Sequence, residues 1–206
     1  MRPFTVTAAE RCALGLAAVA LLLQALEAGA LLEYRRGLLV AQPWRLMSGH
    51  LVHVNWMHAA INCIALVIVA RLFAPELSAL RQIAVLMVAA FVVGSGLAWF
   101  YPAILWYRGL SGILHALFFA GAAAWLVASL RAQPRRSRSI VMPALLVIGG
   151  WIKVAIEQPA GGALPHAEWL GAAVVPQAHL LGAACGSLLG LAFALARRSG
   201  RAQQQQ

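Results

Sequence analysis

The chain has 206 residues, of which 62% are hydrophobic and only 11% charged, and a mean hydropathy of +0.80; this excludes an ordinary soluble domain and points to lipid. The net charge of +10 would suit a nucleic-acid partner, but the 16 Lys and Arg fall between apolar runs and leave no basic face to grip a phosphate backbone. They read instead as topology signals and contacts with anionic membrane lipid.

Taken in chain order, the first apolar run extends from Cys12 to Leu32, behind a short N-terminal segment, residues 1–11. It lacks the small-residue cleavage pattern of a removable signal and reads as a first span. The stretch Glu33 to Asn55 holds Trp44, Arg45, Met47, His50, Leu51 and His53, apolar and aromatic enough for a loop lying partly inserted in the membrane interface. Further runs follow at Trp56 to Phe73, Ile83 to Trp99, Gly109 to Leu130, Ile140 to Ile156 and Leu170 to Ala196, before a polar tail, residues 199–206, expected to fray. None alternates as barrel strands do, and backbone groups in lipid must be satisfied internally. The expectation is an all-α polytopic membrane protein: six transmembrane helices in a single domain over residues 1–206, with an interfacial first loop. Cys12, Cys63 and Cys185 are odd in number and lie in or beside apolar runs, as buried free thiols do.

With a cytoplasmic N-terminus, the inner segments carry Arg2, Arg11, Arg71, Arg81, Arg131, Arg135, Arg136, Arg138, Arg197, Arg198 and Arg201. The outer ones carry Arg35, Arg36, Arg45, Arg108 and Lys153. The excess inside leads to the expectation of both termini in the cytoplasm, with the chain expected as a multi-pass protein of the inner (plasma) membrane.

Polar residues within spans are costly and invite a functional reading. Here they are Gln24, Glu27, His58, Asn62, Ser111, His115, Gln177 and His179. The second, fourth and sixth helices all start at the outer face, so His58 with Asn62, Ser111 with His115, and His179 fall at similar depth, within roughly 10 Å of that surface by the helical rise. Three separate stretches thus converge on one site open to outside water.

Ser111 lies beside Gly109 and Gly112, which let a substrate carbonyl approach and leave the hydroxyl unobstructed. A serine needs a base to take its proton, and His179 is the candidate. His58 and Asn62, at i and i+4, share a face and suit an oxyanion site. The chain contains no Asp, so a Ser-His-Asp triad is excluded and a Ser-His dyad expected unless a Glu substitutes; Glu27 and Glu168 lie towards the outer side, neither close in sequence to His179. Gly182 and Gly186 form a small-residue pair on the histidine's face and permit close approach to the fourth helix.

Trp44-Arg45, then His53, His58 and Asn62, then Gly109-Leu110-Ser111-Gly112, then Ala178-His179 with Gly182 and Gly186 together resemble the rhomboid proteases. Gly-Leu-Ser-Gly followed by Ile113-Leu114-His115, in a short chain, resembles the rhombosortase branch. The resemblance implies a rhomboid-like bundle with Ser111 as nucleophile and His179 as general base. It implies oxyanion stabilisation by His58, Asn62 and the Ser111 N–H, and transmembrane protein substrates cut near a C-terminal Gly-Gly-containing anchor. Many bacterial rhomboids carry Tyr four residues after the serine, stacked on the histidine; His115 stands there in this chain, placed either to support His179 or to compete as base.

Other readings compete. Ser111 could be a packing residue, His53 and Trp44-Arg45 braces of the first loop, and Glu27 the partner of an Arg or a loop amide. His58, His115 and His179 could ligate a haem, although that leaves the glycines around Ser111 and Asn62 unexplained; a zinc protease lacks its His-Glu-x-x-His motif. An inactive rhomboid-fold binding protein would keep the bundle without turnover. The expectation is an enzyme with no cofactor and no metal; oligomeric state is not set by the sequence.

Overall fold

The computed structural model describes residues 5–132, 139–158 and 174–203. The expected Arg135, Arg136 and Arg138 loop, Glu168 and the last residues of the tail lie outside them.

Helix α1, Ala8–Ala25, opens on a capping box: the Thr7 hydroxyl accepts from the Glu10 N–H and the Glu10 carboxylate accepts from the Thr7 N–H. It ends before Glu27, whose φ of +52° turns the chain, and the short helix α2, Gly29–Leu32, follows. The expected first span, Cys12 to Leu32, is therefore divided between an 18-residue helix that already starts at Ala8 and the separate short helix α2, and the exposed Glu27 marks the break. The first loop is built from β1, Tyr34–Arg35, and α3, Arg45–Ser48; β1 pairs antiparallel with β2, Trp106–Tyr107. Its keystone is Arg45, 4% exposed, which donates to the carbonyls of Ala30 (3.1 Å) and Glu33 (2.8 Å). The Glu33 carboxylate accepts from Arg108 at 2.7 Å and from Arg35, so this loop is clasped to the segment just ahead of Ser111.

Helix α4, Trp56–Phe73, is capped by the Asn55 side chain, which accepts from the His58 N–H at 2.8 Å. Helix α5, Ala79–Phe100, is capped by Ser78, and α6, Ser111–Arg131, α7, Val141–Glu157, and α8, Pro176–Gln203, complete the bundle. Proline at the first position of α8 suits a helix start, where an N–H has no partner anyway; the expected start at Leu170 lies outside the described residues. The chain is an all-α polytopic membrane protein. Among the described residues, five helices, α1, α4, α5, α6 and the apolar part of α8, are long and apolar enough to cross a membrane. The fifth expected span corresponds to α7, which has 17 residues.

Helix α6 is the axis of the bundle, with Ile113, Ala116, Leu117, Ala120 and Ala124 all buried among α4, α5 and α8. Its tightest neighbour is α8. A methyl group added at Gly182, Gly186 or Gly190 would collide with the carbonyl oxygen of Gly112, Ala116 or Ala120 respectively, so the two backbones touch at three successive turns. Outward-facing Leu22, Ile64, Ile68, Phe91, Leu145, Ile152 and Leu188 are exposed, as expected of lipid-facing surface. Arg71 pairs with Glu10, and Arg131 donates to the Ala194 carbonyl at 2.8 Å. Both contacts lie at the end of the bundle opposite Ser111, about 30 Å away along α6.

Candidate active site

The site begins with a bent approach to α6. Tyr107, the buried second residue of β2, donates its hydroxyl to the Gly109 carbonyl at 2.6 Å and receives the Gly112 N–H at 3.4 Å. Burial pushes the Tyr107 hydroxyl up to about 12, which keeps it a donor at any physiological pH. Gly109 has φ +128°, and a Cβ there would strike the His58 ring; both the backbone and the packing require glycine. The chain then turns so that Ser111 is the first residue of α6, where backbone N–H groups lack intrahelical partners and the helix dipole favours negative charge.

From that position Ser111 Oγ lies 3.0 Å from His179 Nε2. The histidine is 5% exposed, in the first turn of α8, and is brought to the serine by the glycine contacts between α6 and α8. Its other nitrogen, Nδ1, lies 2.9 Å from a carboxylate oxygen of Glu157, the last residue of α7. An ionised carboxylate only accepts, so Nδ1–H donates to Glu157, and in the neutral ring Nε2 then accepts from the serine hydroxyl.

His115, one turn beyond Ser111, stacks on His179 with ring centroids 4.1 Å apart and planes 14° from parallel. Its Nδ1 donates to the Ser111 backbone carbonyl at 2.7 Å, and its Nε2 accepts from Lys153 at 3.1 Å. Neither nitrogen makes a hydrogen bond to Ser111 Oγ, so the arrangement favours support of His179 over competition with it. Lys153 also pairs with Glu157 at 2.6 Å. The candidate ligand atoms of His115, Glu157 and His179 lie within 4.8 Å of one another, a spacing that a metal ion would accept. In this protein, however, all four imidazole nitrogens are engaged by protein partners and an ammonium group sits beside the cluster. Two rings stacked face to face at 4.1 Å do not flank a haem from opposite sides as paired axial ligands must, which weighs against the haem reading for His115 with His179.

His58 sits against Gly109 and meets the buried His53 edge-on at 5.1 Å. Asn62, one turn below it and buried, donates to the His58 carbonyl at 2.9 Å. Both are at the serine's end of the bundle, though their hydrogen bonds run within α4 and its cap and none reaches Ser111 or His179. Of the residues expected from the sequence, the structure brings Ser111, His179, His115, Gly109, Gly112, Gly182 and Gly186 into one cluster, with His58 at its edge and Asn62 behind. Cys63 and Cys185 are buried free thiols; Cys12, expected buried, is exposed on α1.

Glu157 and Lys153 escaped the sequence reading. Glu157 falls one residue beyond the apolar run ending at Ile156, outside the spans in which a polar residue invites a functional reading. The available signal was the i, i+4 Lys-Glu pair at the C-terminal end of that run. Comparison with known proteins gives one family: the model of the Rhomboid domain matches residues 40–196. No curated protein matches the chain.

Proposed function

The chain belongs to the rhomboid family, and from that premise we propose that it is an intramembrane serine endopeptidase with Ser111 as nucleophile and His179 as general base. The 3.0 Å contact between Ser111 Oγ and His179 Nε2 carries this reading, because a hydroxyl is nucleophilic only when a base is in place to take its proton. As Oγ bonds to the scissile carbonyl carbon, the hydroxyl proton passes to Nε2 and the carbonyl π electrons move onto oxygen. That oxyanion is met by the Ser111 N–H at the start of α6, with His58 and Asn62 turning towards it from α4. His179 then gives the proton to the departing amine as the C–N bond breaks, and water, or another amine, resolves the acyl-enzyme.

The substrate is a single-span membrane protein that unwinds near the outer face, since a helical peptide bond hides its carbonyl; glycine and other weak helix formers near the cut favour that unwinding. Gly-Leu-Ser-Gly at residues 109–112 supports the narrower assignment to C-terminal Gly-Gly anchors of exported proteins. Membrane lipids surround the bundle, and the site faces outward with both termini cytoplasmic.

The test is chemical. A fluorophosphonate probe should label the wild-type protein in liposomes, and Ser111→Ala should lose both labelling and cleavage of a Gly-Gly-anchored fusion while still inserting and folding. Cleavage retained by Ser111→Ala rejects the nucleophile, and a folded wild type that neither labels nor cleaves turns the reading to a binding protein.

A further inference from the structure

The contacts of Glu157 point beyond a two-residue mechanism. It ends α7, an element that buries only Pro143 and Val154 among its described residues, yet its side chain is drawn inward to the His179 ring. One carboxylate oxygen accepts from His179 Nδ1 at 2.9 Å, and the other accepts from Lys153 at 2.6 Å. Both oxygens are thus committed. Because Nδ1 must then carry the proton, Nε2 is obliged to present its lone pair to Ser111 Oγ.

We infer that Glu157 is the third member of a Ser111–His179–Glu157 triad, a positioning residue that fixes the tautomer and orientation of His179 and stabilises the imidazolium formed when Ser111 is deprotonated. The inference rests on the protease reading above. Glu157 takes no proton at any step: the proton moves from Ser111 Oγ to His179 Nε2 and on to the leaving amine, while the Nδ1–H bond stays intact. Lys153 holds the other carboxylate oxygen and also binds His115 Nε2, so one ammonium group fixes both the carboxylate and the ring stacked on the base. The absence of Asp from the chain is thereby answered by a Glu supplied from a different helix than either dyad residue.

Glu157→Gln tests this. The amide keeps the size of the carboxylate but can donate to Nδ1, which permits the wrong tautomer. With thermal stability in detergent unchanged, turnover of the fusion substrate and the rate of fluorophosphonate labelling should both fall by about 10²–10⁴-fold, with KM preserved. A loss within threefold of wild type overturns the inference, as does a KM change that accounts for the whole effect. Should Glu157→Gln fail to fold, ¹⁵N spectra of histidine-labelled wild type decide: the signal absent from His179→Gln is expected to show protonated Nδ1 and unprotonated Nε2, and the opposite tautomer overturns the inference. Failure of the protease reading itself looks different, because wild type then goes unlabelled; the triad falls with it.

Discussion

His50 shows how single residues in the first loop set the conditions under which the site exists. It is 1% exposed, its Nε2 donates to the Ala90 carbonyl of α5 at 3.1 Å, and its ring meets Tyr107 edge-on at 5.3 Å. Burial pushes it down to about 4, and burial together with the neighbouring His58 pushes His53 down to about 3. In the unfolded chain both titrate near 6.5, so below that pH the unfolded state binds more protons than the folded one. Stability is then complete above about pH 6.5 and declines as pH falls towards 4. Glu33 acts in the same direction at lower pH. Burial alone would raise its carboxyl, but Arg108 and Arg35 hold it below its ordinary value, and that contribution is lost only on further acidification. The melting temperature in detergent should therefore be flat above pH 7 and drop between about pH 6.5 and 4. His50→Gln, which keeps a donor for Ala90 but cannot titrate, should flatten part of the decline. A stability that rises on acidification through this window contradicts the assignment.

At the scale of elements, the contact between α6 and α8 decides whether Ser111 and His179 meet. Gly182, Gly186 and Gly190 press on Gly112, Ala116 and Ala120 at matching four-residue steps, and any side chain larger than hydrogen must push the helices apart. Gly186→Leu should destabilise the protein by about 1–3 kcal/mol as an overpacked core does and abolish fluorophosphonate labelling. Gly149→Ala on α7, where an added Cβ meets nothing within 4 Å, should leave both within error. Equal effects from the two substitutions, read by thermal unfolding and labelling, would show that the close approach is not what holds the pair. The first two glycines of this ladder were legible from their spacing, and Gly190 continues the same rule. The capping box at Thr7 and Glu10 was equally readable in principle, but hydropathy alone drew the first span from Cys12. The break at Glu27 was not, because apolar residues continue on both sides and only the backbone turn separates the helices. Glu157 was hidden for a related reason: its partner lies 22 residues away in sequence, across residues 159–173, and no local pattern links the end of one helix to the start of the next.

For the whole molecule, the placing of the two ends of the bundle decides which side of the membrane the site faces. The structure separates the two ends of the bundle. Ser111, His179, Glu157 and the clasped first loop lie at one, and the Glu10–Arg71 pair and Arg131 at the other. Convergence of the second, fourth and sixth apolar runs on one level was legible in the sequence because helices that enter from the same side place their first turns at the same depth. The side itself rests on the excess of Lys and Arg in the segments at the Arg131 end, from which a cytoplasmic location of that end is predicted. Cysteine accessibility tests it directly. In a variant with Cys12, Cys63 and Cys185 replaced by Ala, Leu105→Cys, at an exposed position just before β2, should react with a membrane-impermeant maleimide on intact cells. Gln203→Cys, at the end of α8, should react only after lysis. The reverse pattern would put the Ser111–His179 pair on the cytoplasmic side. The chemistry of the pair would survive that result, but the anchors of exported proteins would no longer present their cleavage region to it, and the substrate would have to be sought among proteins whose span ends are exposed inside the cell.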